Sequence, residues 1–132
     1  AAFQEFRGFG HVFGIDVTIP EHNWKAIMDT PVSKRITLIE ASSSDQETFE
    51  KVAAQIPEGS KILLVLDSNH THEHVLAELK LWSPLLQIGD YIIVSDTGGS
   101  LTWTVQAFKI KKGHMHPMLT FFYLINSVMT LF

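Results

Sequence analysis

The sequence predicts an α/β fold with a mostly parallel sheet, because apolar runs of strand length alternate with segments of helical periodicity. The apolar runs cover residues 11–16, 35–40, 61–67 and 90–96. The chain has 132 residues, of which 45% are hydrophobic and 18% charged, and this composition is ordinary for a folded protein. We therefore expect one domain over residues 1–132.

The segments around these runs have helical patterns of different strength. Residues 1–7 resemble the last turns of an amphipathic helix, and residues 20–34 have room for one or two helical turns. In residues 44–56, Ser44 and Glu47 have the spacing of a capping box before an apolar face. Between the third and fourth strands, apolar residues recur at helical spacing: Val75, Leu76, Leu79, Trp82 and Leu86. After residue 97 the pattern suits a strand or a helix.

Charge and cysteine content argue against several classes of protein. Ten basic and fourteen acidic side chains give a net charge of −4, so the chain has no basic field for a nucleic-acid partner. It contains no cysteine, which excludes disulfides and thiolate zinc sites and agrees with a cytoplasmic location.

Residues 113–132 form an apolar C-terminal segment without Asp, Glu, Lys or Arg. A membrane-spanning helix needs about 20 mostly apolar residues. Polar residues and a proline interrupt this segment, namely His114, His116, Pro117, Asn126 and Ser127. The pattern therefore favours buried core or strand over insertion into a membrane.

Aspartates end three of the four predicted strands. Asp67 and Asp96 end two strands joined by one helix, so both should lie at the same edge of a parallel sheet. Paired carboxylates there favour a magnesium ion, although two helix-capping aspartates are an equal alternative. Asp16 ends the first strand, where it could bind the ribose hydroxyls of a nucleoside cofactor or could cap a turn.

Three histidines lie between the third strand and the following helix. On a helix, His70 and His74 share a face and His72 points elsewhere, and a neutral imidazole near the strand edge could serve as a general base. The string from His70 to His74 also resembles the H-x-H-x-D-H pattern of metallo-β-lactamase-type zinc hydrolases, with Glu73 in place of the aspartate. A zinc hydrolase is therefore an alternative hypothesis.

Residues 67–79 have the pattern D-S-x-H-x-x-x-H-V-x-x-E-L, and residues 89–97 continue it with an apolar strand that ends in Ser95-Asp96-Thr97. Together with Gly14-Ile15-Asp16 and residues 39–43, this pattern resembles the cephalosporin hydroxylase and rhamnosyl O-methyltransferase family. The resemblance implies a Rossmann-like three-layer sandwich of the class I methyltransferase type. It also implies that S-adenosylmethionine is the methyl donor.

The family resemblance also implies roles for individual residues. Asp16 would hold the ribose of S-adenosylmethionine, with Ser42 and Ser43 beside the adenine. Asp67 and Asp96 would bind magnesium, and His70 would act at the reacting centre as the catalytic residue. The acceptor would be a hydroxyl group of a sugar or other natural product. Glu78 is expected on the helix surface or behind the site.

The chain departs from the family pattern at three places. Related proteins often have Glu-Asp where this chain has Ser95-Asp96, so one possible metal ligand is missing. The family's first strand and glycine-rich loop are not recognisable before residue 11, which predicts a partial, N-terminally truncated domain with doubtful activity. Residues 98–132 diverge from the family. An alternative hypothesis is therefore a catalytically silent α/β remnant that serves assembly, for example as a homo-oligomer.

Overall fold

The computed structural model describes residues 1–69 and 71–95 and the backbone of residues 105–109. The chain divides into two compact units, the first ending at Val52 and the second beginning at Ala53. The expectation of one domain over the whole chain stays a prediction.

The first unit alternates helices and parallel strands. Its elements are α1 (Ala2–Arg7), β1 (Val12–Asp16), α2 (Glu21–Met28), a 3₁₀ turn (Ser33–Arg35), β2 (Ile36–Glu40) and α3 (Gln46–Ala53). β1 and β2 pair in parallel, with Val12 opposite Ile36 and Asp16 opposite Glu40. Both strands begin one residue later than predicted, and the order of elements agrees with the prediction.

Local sequence explains where the helices of this unit begin and end. α1 ends at Gly8, whose φ of 75° is a left-handed conformation that glycine adopts without steric cost. α3 begins at Gln46, two residues after the predicted capping residue. The Ser44 hydroxyl lies 2.9 Å from the Ser42 hydroxyl, so it takes part in the loop before the helix.

An ion-pair cluster joins α1 to the start of β2. The Glu5 carboxylate lies 2.7 Å from Lys34 Nζ and 2.9 Å from Arg35 Nε. The Arg35 guanidinium also donates a hydrogen bond to the Gly10 carbonyl oxygen at 3.3 Å. Hydrogen bonds from Lys34 and Arg35 lower the pKa of Glu5 below its ordinary value.

The second unit contains β3 (Leu63–Leu66), α4 (His72–Trp82), a 3₁₀ turn (Ser83–Leu85), β4 (Tyr91–Ser95) and β5 (Val105–Lys109). The strand order is β3-β4-β5, with β3 and β4 parallel and β5 antiparallel to β4. Residues 105–109, which could have suited either type of element, thus form a strand.

The core of this unit lies on one face of β3 and β4. It consists of the buried residues Leu66, Leu79, Leu86, Ile92 and Val94. Strand alternation places the intervening residues on the opposite side, where Leu63 is 61% exposed, Val65 52% and Tyr91 43%. We call these three residues the apolar outer face.

Asp90 is a buried acidic residue directly before β4, with a relative exposure of 1%. Its carboxylate accepts hydrogen bonds from the Gln87 N–H at 2.8 Å and the Ile62 N–H at 3.3 Å. Lys61 Nζ lies 3.6 Å from the same carboxylate. Asp90 therefore joins the segments that enter β3 and β4.

Among the described residues, no helix is long and apolar enough to cross a membrane. The apolar segment 113–132 lies outside these residues.

Candidate active site

Asp67 lies at the carboxyl edge of the β3–β4 pair, as predicted. It follows β3 directly, and its side chain is exposed. Because β3 and β4 are parallel, the end of β4 at Ser95 lies at the same edge. The other predicted residues of this centre, His70 and Asp96, lie outside the described residues, so their roles stay predictions.

Two hydrogen bonds shape the segment between β3 and α4. The Ser68 hydroxyl donates to Glu78 Oε1 at 2.7 Å. The Asn69 side-chain oxygen accepts the Thr71 N–H at 3.0 Å, which forms an Asx turn immediately before the helix. Thr71 then precedes the first residue of α4, and its carbonyl oxygen accepts the Val75 N–H at 3.0 Å. The segment that carries Asp67 is thus attached to α4.

Glu78 is the partner of Ser68, and it is buried with a relative exposure of 2%. Its Oε1 also lies 3.4 Å from His74 Nε2, one helical turn earlier. Of the two expectations for Glu78, its burial contradicts a place on the helix surface and agrees with a place behind the site. Helical spacing contained the signal, since Glu78 lies three residues after Val75 and next to Leu79 on the apolar side.

The described histidines do not form the arrangement that a zinc hydrolase needs. His72 and His74 both belong to α4, and residues two apart on a helix do not face each other. Within the described residues, no group of three or more His, Cys, Asp or Glu side chains is placed to hold a metal ion. His70 is excluded from that statement because it lies outside them.

Asp16 lies at the carboxyl edge of the first unit, at the end of β1, and is exposed. Its Oδ1 accepts the Thr18 N–H at 3.2 Å, so the carboxylate also shapes the turn after the strand. Opposite it in the register, Glu40 accepts the Ile19 N–H at 3.0 Å. The sequence reasoning missed Glu40, although its position at the end of β2 was a usable signal.

Ser42 and Ser43 follow β2 at the same edge as Asp16 and are half-buried. Ser42 Oγ accepts the Ser44 N–H at 3.3 Å and lies 2.9 Å from the Ser44 hydroxyl. The structure therefore brings three predicted cofactor-binding residues, Asp16, Ser42 and Ser43, to one edge of the β1–β2 pair. Whether they contact a cofactor stays a prediction.

Both strand edges lie within a segment that matches a known protein family. The sequence model of the rhamnosyl O-methyltransferase/CmcI family matches residues 2–102, which is more than half of the chain. The chain belongs to this family. The family that the sequence resembles is thereby confirmed.

Curated relatives carry the same family name. Rhamnosyl O-methyltransferase of Mycobacterium bovis is 42% identical over 65 residues, which are 47% of this chain and 26% of the relative. The protein of the same name from Mycobacterium leprae is 54% identical over 37 residues, which are 28% of this chain and 16% of the relative. The matched segment thus spans about a quarter or less of the length of these relatives.

Solved structures confirm the fold. The methyltransferase MycE of the mycinamycin biosynthetic pathway, in complex with Mg, SAH and mycinamycin VI, has a TM-score of 0.53 and 21% identity to this chain. The match covers 72% of this chain and 22% of that one. A second MycE structure, with Mg and SAH, matches equally well. The predicted Rossmann-like α/β fold is therefore confirmed.

Proposed function

We propose an O-methyltransferase function for this chain. The methyl donor is S-adenosylmethionine, the metal ion is magnesium, and the acceptor is a hydroxyl group of a sugar or other natural product. The observation that carries the proposal is the exposed Asp67 at the carboxyl edge of parallel strands, within the segment that matches the family. Open α/β sheets bind their ligands at this edge.

The methyl donor is assigned to the edge of the first unit. Asp16 would accept hydrogen bonds from the ribose, and Ser42 and Ser43 would lie beside the adenine. The turn uses Asp16 Oδ1 for the Thr18 N–H. An ionised carboxylate has two oxygens and about four lone-pair sites, so this turn is compatible with further hydrogen bonds to a ribose.

The metal is assigned to Asp67 and Asp96. The exposed carboxylate of Asp67 fits a magnesium ion, because this ion prefers oxygen ligands and binds through one or two carboxylates. When bound, the ion would lower the pKa of the acceptor hydroxyl and orient it.

His70 is assigned as the base that accepts the proton of the acceptor hydroxyl. The acceptor oxygen then bonds to the sulfonium methyl carbon in line with the breaking carbon–sulfur bond. The electron pair of that bond stays on sulfur, so the donor leaves as neutral S-adenosylhomocysteine. The Asx turn at Asn69 and the Ser68–Glu78 hydrogen bond shape the described residues that follow Asp67.

Calorimetric titration of the folded chain with S-adenosylmethionine, with and without magnesium, tests the proposal. We expect binding that Asp16→Asn weakens at least tenfold, because the amide replaces one ribose-accepting oxygen. The control Asp29→Asn changes an exposed aspartate at the end of α2 and should leave binding unchanged. A folded chain that binds no S-adenosylmethionine contradicts the proposed donor site.

A second titration addresses the metal, with Mn²⁺ as the probe in electron paramagnetic resonance. Asp67→Asn should abolish Mn²⁺ binding, whereas Asp45→Asn, an exposed aspartate before α3, should not change it. Equal affinity in both variants would contradict the assignment of Asp67 as a ligand.

The apolar outer face favours a second candidate function, which is assembly without catalysis. Leu63 and Val65 are more than half exposed on β3, and exposed apolar patches often mark protein–protein contacts. On this hypothesis the chain forms a homo-oligomer through the face. Light scattering should then show a stable oligomer that Val65→Lys dissociates and Asp67→Asn leaves unchanged. A monomeric wild-type chain would contradict this candidate.

A further inference from the structure

The buried carboxylate of Glu78 needs an explanation, because burying a charge is costly unless hydrogen bonds compensate it. Among the described residues, Ser68 Oγ donates to its Oε1 at 2.7 Å, and His74 Nε2 lies 3.4 Å from the same oxygen. Hydroxyl groups that donate to a carboxylate make short and strong hydrogen bonds, and the Ser68 distance is of this kind. Glu78 is therefore firmly joined to Ser68.

Ser68 is the residue directly after Asp67. A hydrogen bond that fixes the Ser68 side chain restricts the backbone on both sides of it, including the peptide bond that follows Asp67. The Asx turn at Asn69 joins the Asn69 side chain to the Thr71 N–H. The described residues between β3 and α4 are thus held at two places, Ser68 by Glu78 and Thr71 by Asn69.

The His74 contact has a related effect on Glu78 itself. His74 and Glu78 are four residues apart on α4, so their side chains meet on one face of the helix. The imidazole therefore favours the side-chain conformation in which Oε1 points towards Ser68. If Glu78 only filled space, an apolar side chain of similar size could replace it without the cost of burying a charge.

We infer that Glu78 is a positioning residue, which acts through Ser68 to hold Asp67 in the orientation that metal binding requires. The inference rests on the proposed function, since it assigns Asp67 to the metal. Glu78 does not touch the ion in this assignment. It fixes the segment that carries the ligand, as carboxylates behind metal sites commonly do.

The decisive variants change Ser68, because this residue is exposed and its replacement leaves the core intact. Ser68→Ala removes the hydroxyl donor, whereas Ser68→Thr keeps it. Loss of a residue that hydrogen-bonds a metal ligand typically lowers the affinity for the metal by about 10–100-fold. We therefore expect Ser68→Ala to lower the affinity for Mn²⁺ at least tenfold. Ser68→Thr should keep the affinity within threefold of that of the wild type.

Glu73→Gln is the matched control, since Glu73 lies on the same helix and is exposed. It should change Mn²⁺ affinity by less than twofold. Glu78→Gln and Ser68→Ala should both lower the affinity for Mn²⁺, and Glu73→Gln should not. A Ser68→Ala chain that binds Mn²⁺ within twofold of the wild type overturns the inference.

Amide hydrogen exchange of the metal-free chain separates this inference from the proposed function. Ser68→Ala should increase exchange of residues 67–71 at least tenfold and leave residues 91–95 unchanged. Unchanged exchange of residues 67–71 overturns the inference, whether or not the chain binds metal. A wild-type chain that binds no Mn²⁺ contradicts the proposed metal site instead, and the exchange result then decides the inference.

Discussion

Two buried carboxylates, Asp90 and Glu78, serve opposite ends of the β3–β4 pair and differ in what they bind. Asp90 is 1% exposed and accepts backbone N–H groups of Ile62 and Gln87 at the end where both strands begin. Glu78 is 2% exposed and binds the side chains of Ser68 and His74 at the end that carries Asp67. Equal burial therefore does not imply an equal role. A carboxylate that binds backbone fixes the fold, and one that binds a loop side chain adjusts the site.

The largest expected effect on stability is that of Asp90→Ala. The substitution leaves two partly buried backbone N–H groups without their acceptor, which should cost about 3 kcal/mol of unfolding free energy. Urea unfolding followed by circular dichroism measures this. Glu58→Ala, at an exposed turn of the same unit, is the control and should cost less than about 0.5 kcal/mol. If Asp90→Ala lowered the free energy of unfolding only slightly, the contrast between the two carboxylates would not hold.

Glu78→Gln should lower the affinity for the metal more than it lowers stability, which is the opposite of what we expect for Asp90→Ala. Its amide oxygen can still accept the Ser68 hydroxyl, so we expect a loss of only about 1 kcal/mol in unfolding free energy. The metal should nevertheless be weakened, because the neutral acceptor holds Ser68 less firmly. Parallel urea and Mn²⁺ titrations of this variant and of Asp90→Ala test the comparison. If Asp90→Ala weakened Mn²⁺ more than Glu78→Gln did in folded samples, the assigned roles would be reversed.

The sequence predicted the strands well because each apolar run is bounded by turn or helix residues, as at Gly89-Asp90 before β4. It did not predict the buried carboxylates. The pattern of apolar residues predicts Asp90 as the first strand residue, since it contains no information on hydrogen bonds from turn N–H groups. For Glu78 the sequence leaves the helix surface and a place behind the site open, because charged side chains are rarely buried. Helical periodicity favours the second place for Glu78, but no periodicity predicts the burial of Asp90.

Position along the chain predicted part of the geometry of the candidate site. Asp16 is the last residue of β1, and Ser42, Ser43 and Asp67 follow their strands within three residues, so all four lie at the carboxyl ends of strands. The Asx turn and the Ser68–Glu78 hydrogen bond depend on side-chain geometry, which motif spacing does not encode. The sequence of residues 105–109 suits either a helix or a strand, and these residues form a strand because they pair with β4.

A double-mutant cycle sharpens the comparison at smaller magnitude. The pair Ser68–Glu78 should show a coupling free energy of about 1–2 kcal/mol, because the acceptor is buried and the hydrogen bond is short. The pair Lys61–Asp90 should couple by less than about 1 kcal/mol, since the Lys61 side chain is 68% exposed and its nitrogen is 3.6 Å away. The cycles combine Ser68→Ala with Glu78→Met, which has no acceptor oxygen, and Lys61→Met with Asp90→Asn. Equal couplings would contradict the distinction.

Glu5 extends the comparison to a carboxylate that is not buried, and the smallest effect is expected there. Lys34 and Arg35 lower its pKa in the folded chain, so the carboxylate binds protons less readily when folded than when unfolded. Its contribution to stability is therefore present above the unfolded pKa and is lost as pH falls through the lower, folded pKa. The difference in urea midpoint between wild type and Glu5→Gln should be small near neutral pH, shrink in acid and decrease with added salt. Glu58→Gln should show none of these trends, and a Glu5→Gln difference that grows in acid would contradict the direction of the pKa change.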